Sequence, residues 1–454
     1  MSFQRYLDVI SGNFQTAVKV EWLNADESVA FEFTNALYDI NVDLSVNYQN
    51  GSRRTCTLTL NNDRNQFPVN FNNIWFGQKF KLWLGVYIDN KTPYYFPQGV
   101  FYISNPNETY QPSTRTTVIN GVDKWAMLDG TLGGKLHGTY QTNIGNDLLD
   151  ATRKLLKISR FDDSFNETSD ITQMIDPILP FISSYYLTKT GYVLNTSSDM
   201  NNKKTYYVYK SGEYTKYSSS KHGKFDEVYS TLYTLEYAKK CPYTAKVERG
   251  KTYADVLLEY ATILCAHIYY DANGRLTIEP MIDNADDITD TNKEILWHFT
   301  VEENQLLGLS TTYNFDKTYN DIIVLGNIVN GYQFKARVQN RNPMSDTCVQ
   351  KIGLKTKEPL EDNQYYSDDQ CKELAIYYAK IDTILQKSGD INTTPLYHLD
   401  VNKLVTVSTP NNNMSKELFL VTGYNLNASN SMTLNVTSVN VLNDFSVVEA
   451  DVYE

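Results

Sequence analysis

Along most of the chain, apolar and polar side chains alternate. In "RRTCTLTLNN" (53–62), "KFKLWLGVYIDN" (79–90), "NKLVTVST" (402–409) and "KELFLVTGYNLN" (416–427), apolar residues recur at alternate positions. Clusters of Asn, Gly or Pro close such runs. A period of two puts alternate side chains on one face of a strand, so these segments predict β-structure with one face buried. Three stretches change to a 3–4 spacing and predict helices. The first, around 143–157, lines up Ile144, Leu148, Thr152 and Leu155. The second, 252–265, lines up Tyr253, Val256, Leu257, Tyr260, Ile263 and Leu264. The third, 367–387, opens with Ser367 and Gln370 as a capping box and carries Cys371, Leu374, Tyr378, Ile381 and Leu385, with Gly389 as its stop. These stripes read as core.

The pattern also repeats. Residues 77–122 and 401–439 each run strand, polar turn, and a strand ending in Gly plus an aromatic (Gly99 to Phe101, Gly423 to Tyr424). Each continues through an Asn- and Ser-containing loop into a strand of alternating Thr and aliphatic residues. Two like β-modules, one near each end of the chain, are expected. Between them, 136–298 reads as an α+β region. It holds an apparent insertion, 185–244, with twelve tyrosines and nine lysines against five acidic residues. Inside it "TYYVYKSGEYTKYS" predicts a hairpin turning at Ser211-Gly212. Lysines interleaved with tyrosines suit stacking on bases or sugars, but the segment reads better as a solvated appendage or a protein-contact knob.

Composition bounds the rest. A chain of 454 residues predicts two to four domains, and 41% hydrophobic with 21% charged residues describes a globular protein. The first residues show no signal-peptide pattern, and no apolar run reaches membrane-spanning length, so folding in the cytoplasm of the producing cell is expected. Five scattered cysteines (Cys56, Cys241, Cys265, Cys348 and Cys371) argue for buried thiols over disulfides. The net charge of −12 is opposite to what gripping nucleic acid requires, and suits a surface that DNA slides past. The 35 tyrosines fit either a carbohydrate-facing surface or the ordinary strand preference of tyrosine.

Catalytic signatures fail one by one. There is no G-x-S-x-G, H-E-x-x-H, G-x-G-x-x-G or C-x-x-C. "DGTLGGKLHGT" (129–139) resembles a phosphate loop, but Asp129 replaces the first Gly and Leu136 the metal-holding Ser/Thr. It reads as a turn into the next element. "DNADDITDTNKE" (283–294) has the length of a calcium loop, yet Ala285 occupies a ligand position and Ile288 the obligatory Gly, so an acidic linker is expected. His137, His222, His267, His298 and His398 show no ligand spacing. No catalytic, cofactor-binding or metal-binding residue is assigned, and no cofactor is expected.

One stretch carries a resemblance. In 251–280, "KTYADVLLEYATILCAHIYYDANGRLTIEP", Thr252, Asp255, Val256 and Leu257, with Gly250 just before, match a G-x-T-x-x-D-V-L helix opening. Tyr269, Tyr270, Asp271, Gly274 and Leu276 match a following Y-Y-D-x-x-G-x-L hairpin. With "YNDIIVLGN" (319–327) beyond it and β-modules on either side, this order resembles the baseplate hub proteins of tailed bacteriophages. The resemblance is specific over 250–330 and covers most of the chain in outline, leaving the insertion without a counterpart. It implies an α+β, mainly β fold with two tail-tube-like β-barrel domains, 1–135 and 299–454 (the latter with helix 367–387), flanking the 136–298 region. Also implied is a non-enzymatic structural virion protein at the tail tip. Such a hub is a homotrimer whose six barrel domains match a sixfold tube to a threefold spike. Its partners would be the tail tube or distal tail protein, the central spike and baseplate proteins. DNA would pass through its lumen without specific binding, and the chain would not enter a membrane. A tail protein that binds or hydrolyses cell-wall glycans through the Tyr-rich segment is the alternative.

Overall fold

A computed structural model describes residues 3–158 (except 72, 90, 91 and 144), 173–175, 204–210, 213–219, 241, 244–263, 266–280, 295–301, 305–329, 331–363, 365, 368–383, 385, 387–410, 414–427, 431–438 and 447–449. After a short helix, Phe3–Ile10, come β1 (Thr16–Leu23), β2 (Val29–Thr34), β3 (Ile40–Asn47), β4 (Arg54–Asn61), β5 (Lys79–Asp89), β6 (Thr92–Ile103), β7 (Asn107–Gln111) and β8 (Thr114–Asp123). The middle region holds β9 (Tyr140–Thr142), helix Leu148–Ile158, β10 (Gln173–Ile175), β11 (Lys204–Lys210), β12 (Glu213–Ser219) and β13 (Ala245–Val247). Helix Tyr253–Ile263, β14 (Ala266–Tyr270) and β15 (Leu276–Pro280) complete it. The last part holds β16 (Ile295–Thr300), β17 (Leu306–Tyr313), β18 (Asp321–Val329), β19 (Tyr332–Asn340), β20 (Leu360–Glu361) and helix Asp368–Asp382. It ends with β21 (Lys387–Thr393), β22 (Leu404–Thr409), β23 (Met414–Leu426), β24 (Met432–Ser438) and β25 (Val447–Glu449).

The fold is α+β and mainly β. Strands from both ends of the chain join in one 14-stranded sheet, β17-β21-β24-β23-β3-β4-β8-β6-β5-β1-β2, with β22 beside β23, β16 beside β22 and β7 beside β8. The expected repeat is present in its pairings. The strands β1, β3, β4, β5, β6 and β8 lie in the spatial order β3-β4-β8-β6-β5-β1. Their counterparts β16, β17, β21, β22, β23 and β24, met in the same chain order, lie as β17-β21-β24-β23-β22-β16. Each neighbouring pair is antiparallel in both sets, except that β1 runs antiparallel to β5 whereas β16 runs parallel to β22.

The registers agree to the residue. Lys79 faces Tyr102, Tyr102 faces Val122, Val122 faces Thr55, and Thr55 faces Ser45. In the second set Leu404 faces Leu420, Leu420 faces Thr437, Thr437 faces Ser388, and Ser388 faces Thr312. A turn with left-handed backbone precedes β5 at Gly77 (φ 75°) and β22 at Asn402 (φ 60°). Ile103 N–H then donates to Gln78 O (3.1 Å), as Val421 N–H does to Lys403 O (2.9 Å). This corrects one detail of the sequence comparison. Gly99 precedes Tyr102 whereas Gly423 follows Leu420, so the two Gly-aromatic steps are not equivalent. The conserved feature is the turn conformation, which Gly and Asn both tolerate.

Each strand set is an open sheet, and one free edge of each is taken up by the other. Pairing of β3 with β23 makes the continuous sheet, and among the described residues no pairing closes either strand set on itself. A single hydrophobic cluster runs through both sets, with Val20, Leu58 and Phe80 from the first and Phe299, Phe419 and Leu434 from the second. Each of these side chains is almost wholly buried, contributing about 1.5–3 kcal/mol before entropy. The second set carries an extra layer, built from residues between β17 and β21 together with β25. The sheet β20-β18-β19-β25 is covered by helix Asp368–Asp382 through Cys371, Leu374, Ala375 and Ala379. That helix stops short of the predicted 387, because Lys387 begins β21. Gly389 lies inside that strand, where a Cβ would come within 2.7 Å of Ser310 O.

The middle region has its own core. Tyr253, Val256, Leu257, Tyr260 and Ile263 all face it, as their spacing predicts; Leu264 lies outside the described residues. The helix 148–158 begins five residues later than expected. Asp147 sets its start by accepting from the N–H groups of Leu149 (3.0 Å) and Asp150 (3.2 Å). The β11–β12 hairpin is present, with Lys210 facing Glu213 across a two-residue connection that lies outside the described residues. So do the rest of the 185–244 insertion apart from Cys241 and Thr244, the acidic segment 283–294, His222 and Cys265.

Candidate functional site

The functional question falls on the seam where the two strand sets meet. β22 flanks β23 only as far as Leu420, leaving the rest of that β23 edge open. β3 takes it: Gly423, Tyr424, Asn425 and Leu426 face Asn47, Val46, Ser45 and Leu44, and Tyr48 N–H donates to Thr422 O at 2.7 Å. A one-residue bulge between Val421 and Gly423 against β24 turns the strand toward β3 at this point.

A buried cation fastens the seam. Arg54, at the start of β4, is 1% exposed and sends Nη2 to both carboxylate oxygens of Asp400 at 2.6 Å. Its Nη1 donates to Gln98 O (3.1 Å) and Tyr424 Oη (3.4 Å). Gln98 reaches back across the seam through Nε2 to Tyr397 O (3.0 Å). Burial alone would lower the Arg54 pKa, but the Asp400 carboxylate outweighs it and holds the guanidinium charged. Beneath, buried Asp123 accepts from the N–H groups of Arg53 (2.7 Å) and Arg54 (3.0 Å). Burial raises its carboxyl pKa against those donors.

The N-terminal helix straps the seam on another side. Tyr6 is fully buried, and its hydroxyl meets His398 Nδ1 at 3.0 Å. Phe3, Phe96 and Trp297 complete an aromatic surround, drawn from both strand sets, around the imidazole. Desolvation there lowers the His398 pKa to about 4. Gln305 Nε2, from the second set, donates to Ile10 O (3.2 Å) at the helix end.

The residues that carried the resemblance hold the middle region together and press it against the first strand set. Thr252 and Asp255 form a capping box: Thr252 N–H and Oγ1 donate to Asp255 Oδ2 (2.8 and 2.9 Å), and Asp255 N–H donates to Thr252 Oγ1 (3.2 Å). Asp271 orders the hairpin turn by accepting from Asn273 N–H (2.9 Å) and Arg275 N–H (2.8 Å). Gly274 is required twice over. Its φ is +76°, and a Cβ would come within 2.5 Å of Val100 in β6. The Arg53 guanidinium lies 3.2 Å from the Tyr269 ring centre, and Gly51 N–H donates to Ile268 O (2.9 Å).

The phosphate-loop candidate takes a structural role. In 129–139, Gly134 O accepts from Tyr253 N–H and Leu136 N–H donates to Lys251 O, both at 2.8 Å, so the loop clamps the start of the 253–263 helix. Among the described residues, His, Cys, Asp and Glu form no group of three that could hold a metal. No described helix is long and apolar enough to cross a membrane. Cys56, Cys241, Cys348 and Cys371 are buried free thiols.

The chain matches no protein-family model and no curated protein by sequence. In three dimensions it is similar to the tail protein from Neisseria meningitidis MC58, with TM-score 0.51 and 11% identity over 94% of this chain and 97% of that one. The 43 kDa tail protein of prophage MuSo2 from Shewanella oneidensis (TM-score 0.49, 10% identity) is covered over 98% of its length and 93% of this chain. Prophage tail protein gp18 from Listeria monocytogenes EGD-e (TM-score 0.48, 9% identity) is covered over 95%, against 94% of this chain. The Neisseria likeness is one of fold, and it extends over nearly the whole of both chains.

Proposed function

We propose that this chain is a structural protein of a phage tail tip: a baseplate hub that assembles as a homotrimer and joins the tail tube to the central spike and the surrounding baseplate. The observation that carries the reading is the duplication. Two strand sets that share one strand order and one register, and differ in the direction of their first strand, stand side by side in a single sheet. A chain built of two equivalent units can turn threefold symmetry into a sixfold ring, whose closure would pair strand edges that a single chain leaves open. The Neisseria tail-protein fold supports the tail assignment. In this reading residues 1–135 and 299–454 are the two tube-like units, 136–298 is the middle region whose helix and hairpin brace them, and DNA passes a lumen that it does not bind.

The test is the mass and symmetry of the purified full chain. Light scattering should give three copies of 52.0 kDa, and particle images should show a threefold ring with sixfold character at its tube face. A monomer at every concentration, retained by cell-wall glycan or cleaving it, would instead establish the glycan-binding or glycan-hydrolysing alternative.

A further inference from the structure

The inner seam has one unfilled twin, with a half of it in each strand set. β17 occupies in the second set the place that β3 holds in the first. Yet among the described residues β17 pairs only with β21, and its other edge is open. The register makes Thr311–Asn314 the counterpart of Leu44–Asn47, and Phe315 the counterpart of Tyr48. In the same way Asn105–Glu108, running into β7, corresponds to Gly423–Leu426. Among the described residues β7 pairs only with β8. The chain therefore carries one made seam and both halves of a second.

The side chains agree with the backbone. Val401, in the turn before β22, is buried at the inner seam; its counterpart Phe76, in the matching turn before β5, is 80% exposed. Beside it Trp75 (38%) and Phe71 (75%) are also exposed. On the opposite half, Tyr48 packs on Leu404 and Leu420 at the inner seam, while its counterpart Phe315 is 67% exposed next to the exposed Tyr313. Large apolar side chains stand in solvent where the equivalent positions inside the chain are covered. One difference is informative. Pro106 corresponds to Tyr424 and has no N–H to give, so the second seam has fewer backbone donors and relies more on these aromatics.

We propose that the open edge of β17 in one copy pairs with Asn105–Glu108 of the next, in the register of the inner seam, with Phe76 and Phe315 as its apolar contacts. The occupant of each surface is thus a second copy of this chain. The contact is head to tail, so it closes a ring if the rotation fits. The inference rests on the trimeric reading and specifies which residues make it.

The register names a cross-link. Ser45 faces Asn425 at the inner seam, and the corresponding pair is Thr312 of one copy with Asn107 of the next. Facing residues of an antiparallel pair lie close enough for a disulfide. The full chain carrying both Asn107→Cys and Thr312→Cys, mildly oxidised, should give covalent dimers and trimers on a denaturing gel and nothing larger. Either single variant should give none. Phe76→Asp alone should weaken assembly about tenfold or more by light scattering. Trimers that form without the cross-link, or that tolerate Phe76→Asp unchanged, would overturn the seam and leave the hub standing. A chain that stays monomeric at all concentrations would overturn both.

Discussion

At the scale of single residues, the seam depends on charge placed where the strand pattern expects apolar groups. In β4 the inward positions are Arg54, Cys56, Leu58 and Leu60. Arg54 is in phase with the core face, and a charge there needs a partner. That signal was in the sequence, although nothing in it pointed to Asp400. The pair is asymmetric, with Arg54 1% and Asp400 30% exposed. Asp400→Asn should therefore cost about 3 kcal/mol, since it strands a buried cation, whereas Arg54→Met fills the space and leaves a carboxylate that water can reach. Urea unfolding of both variants checks the order; a costlier Arg54→Met would reverse the account. His398 gives a pH dependence. Its folded pKa, about 4, lies below the ordinary value of 6.5, so the unfolded chain binds the proton first as pH falls. Its contribution is complete above about pH 6.5 and is lost on going down toward pH 4, by about 3 kcal/mol at most. Asp123, raised by burial, acts in the opposite sense. Thermal melts from pH 7 to 4.5 should fall less steeply in His398→Gln than in the native chain, and an equal slope would exclude His398.

At the scale of elements, periodicity located the helices and local hydrogen bonding set their ends. The 252–265 stripe is buried as its spacing required, and Leu257 is fully inside. Leu257→Asp puts a carboxylate without a partner into that core, costs several kcal/mol, and should abolish soluble expression. Asp255→Ala removes only the cap and should cost about 1 kcal/mol, read as a small shift in melting temperature. Normal expression of the first variant would mean that the stripe is not core. The third helix shows where pattern reading ends. Leu385 continues the helical spacing, but Lys387 and Gly389 are drawn into β21, because strand pairing with β17 and β24 satisfies more backbone groups than another helical turn. Gly389 reads as a helix stop in sequence and serves as a close-packing position in the sheet.

At the scale of the whole molecule, assembly should not need the insertion. Deleting 185–240, which spares Cys241 in the middle core, should leave the proposed trimer and its melting unchanged; host attachment lost alone would make the segment a recognition appendage, and loss of the trimer would give it an architectural part instead. The sequence by itself determined the class of structure, the duplication, the middle core and the helix–hairpin motif. Each of these follows from side-chain period and local hydrogen bonds, which act within a few residues. It did not determine that β3 would join β23, that Arg54 would find Asp400, or that the N-terminal helix would dock on His398. Those contacts link residues more than 300 positions apart, and no local propensity encodes them. The tertiary structure decided them because an open sheet edge is satisfied by whichever complementary edge folding brings beside it. Here that edge lies in the same chain.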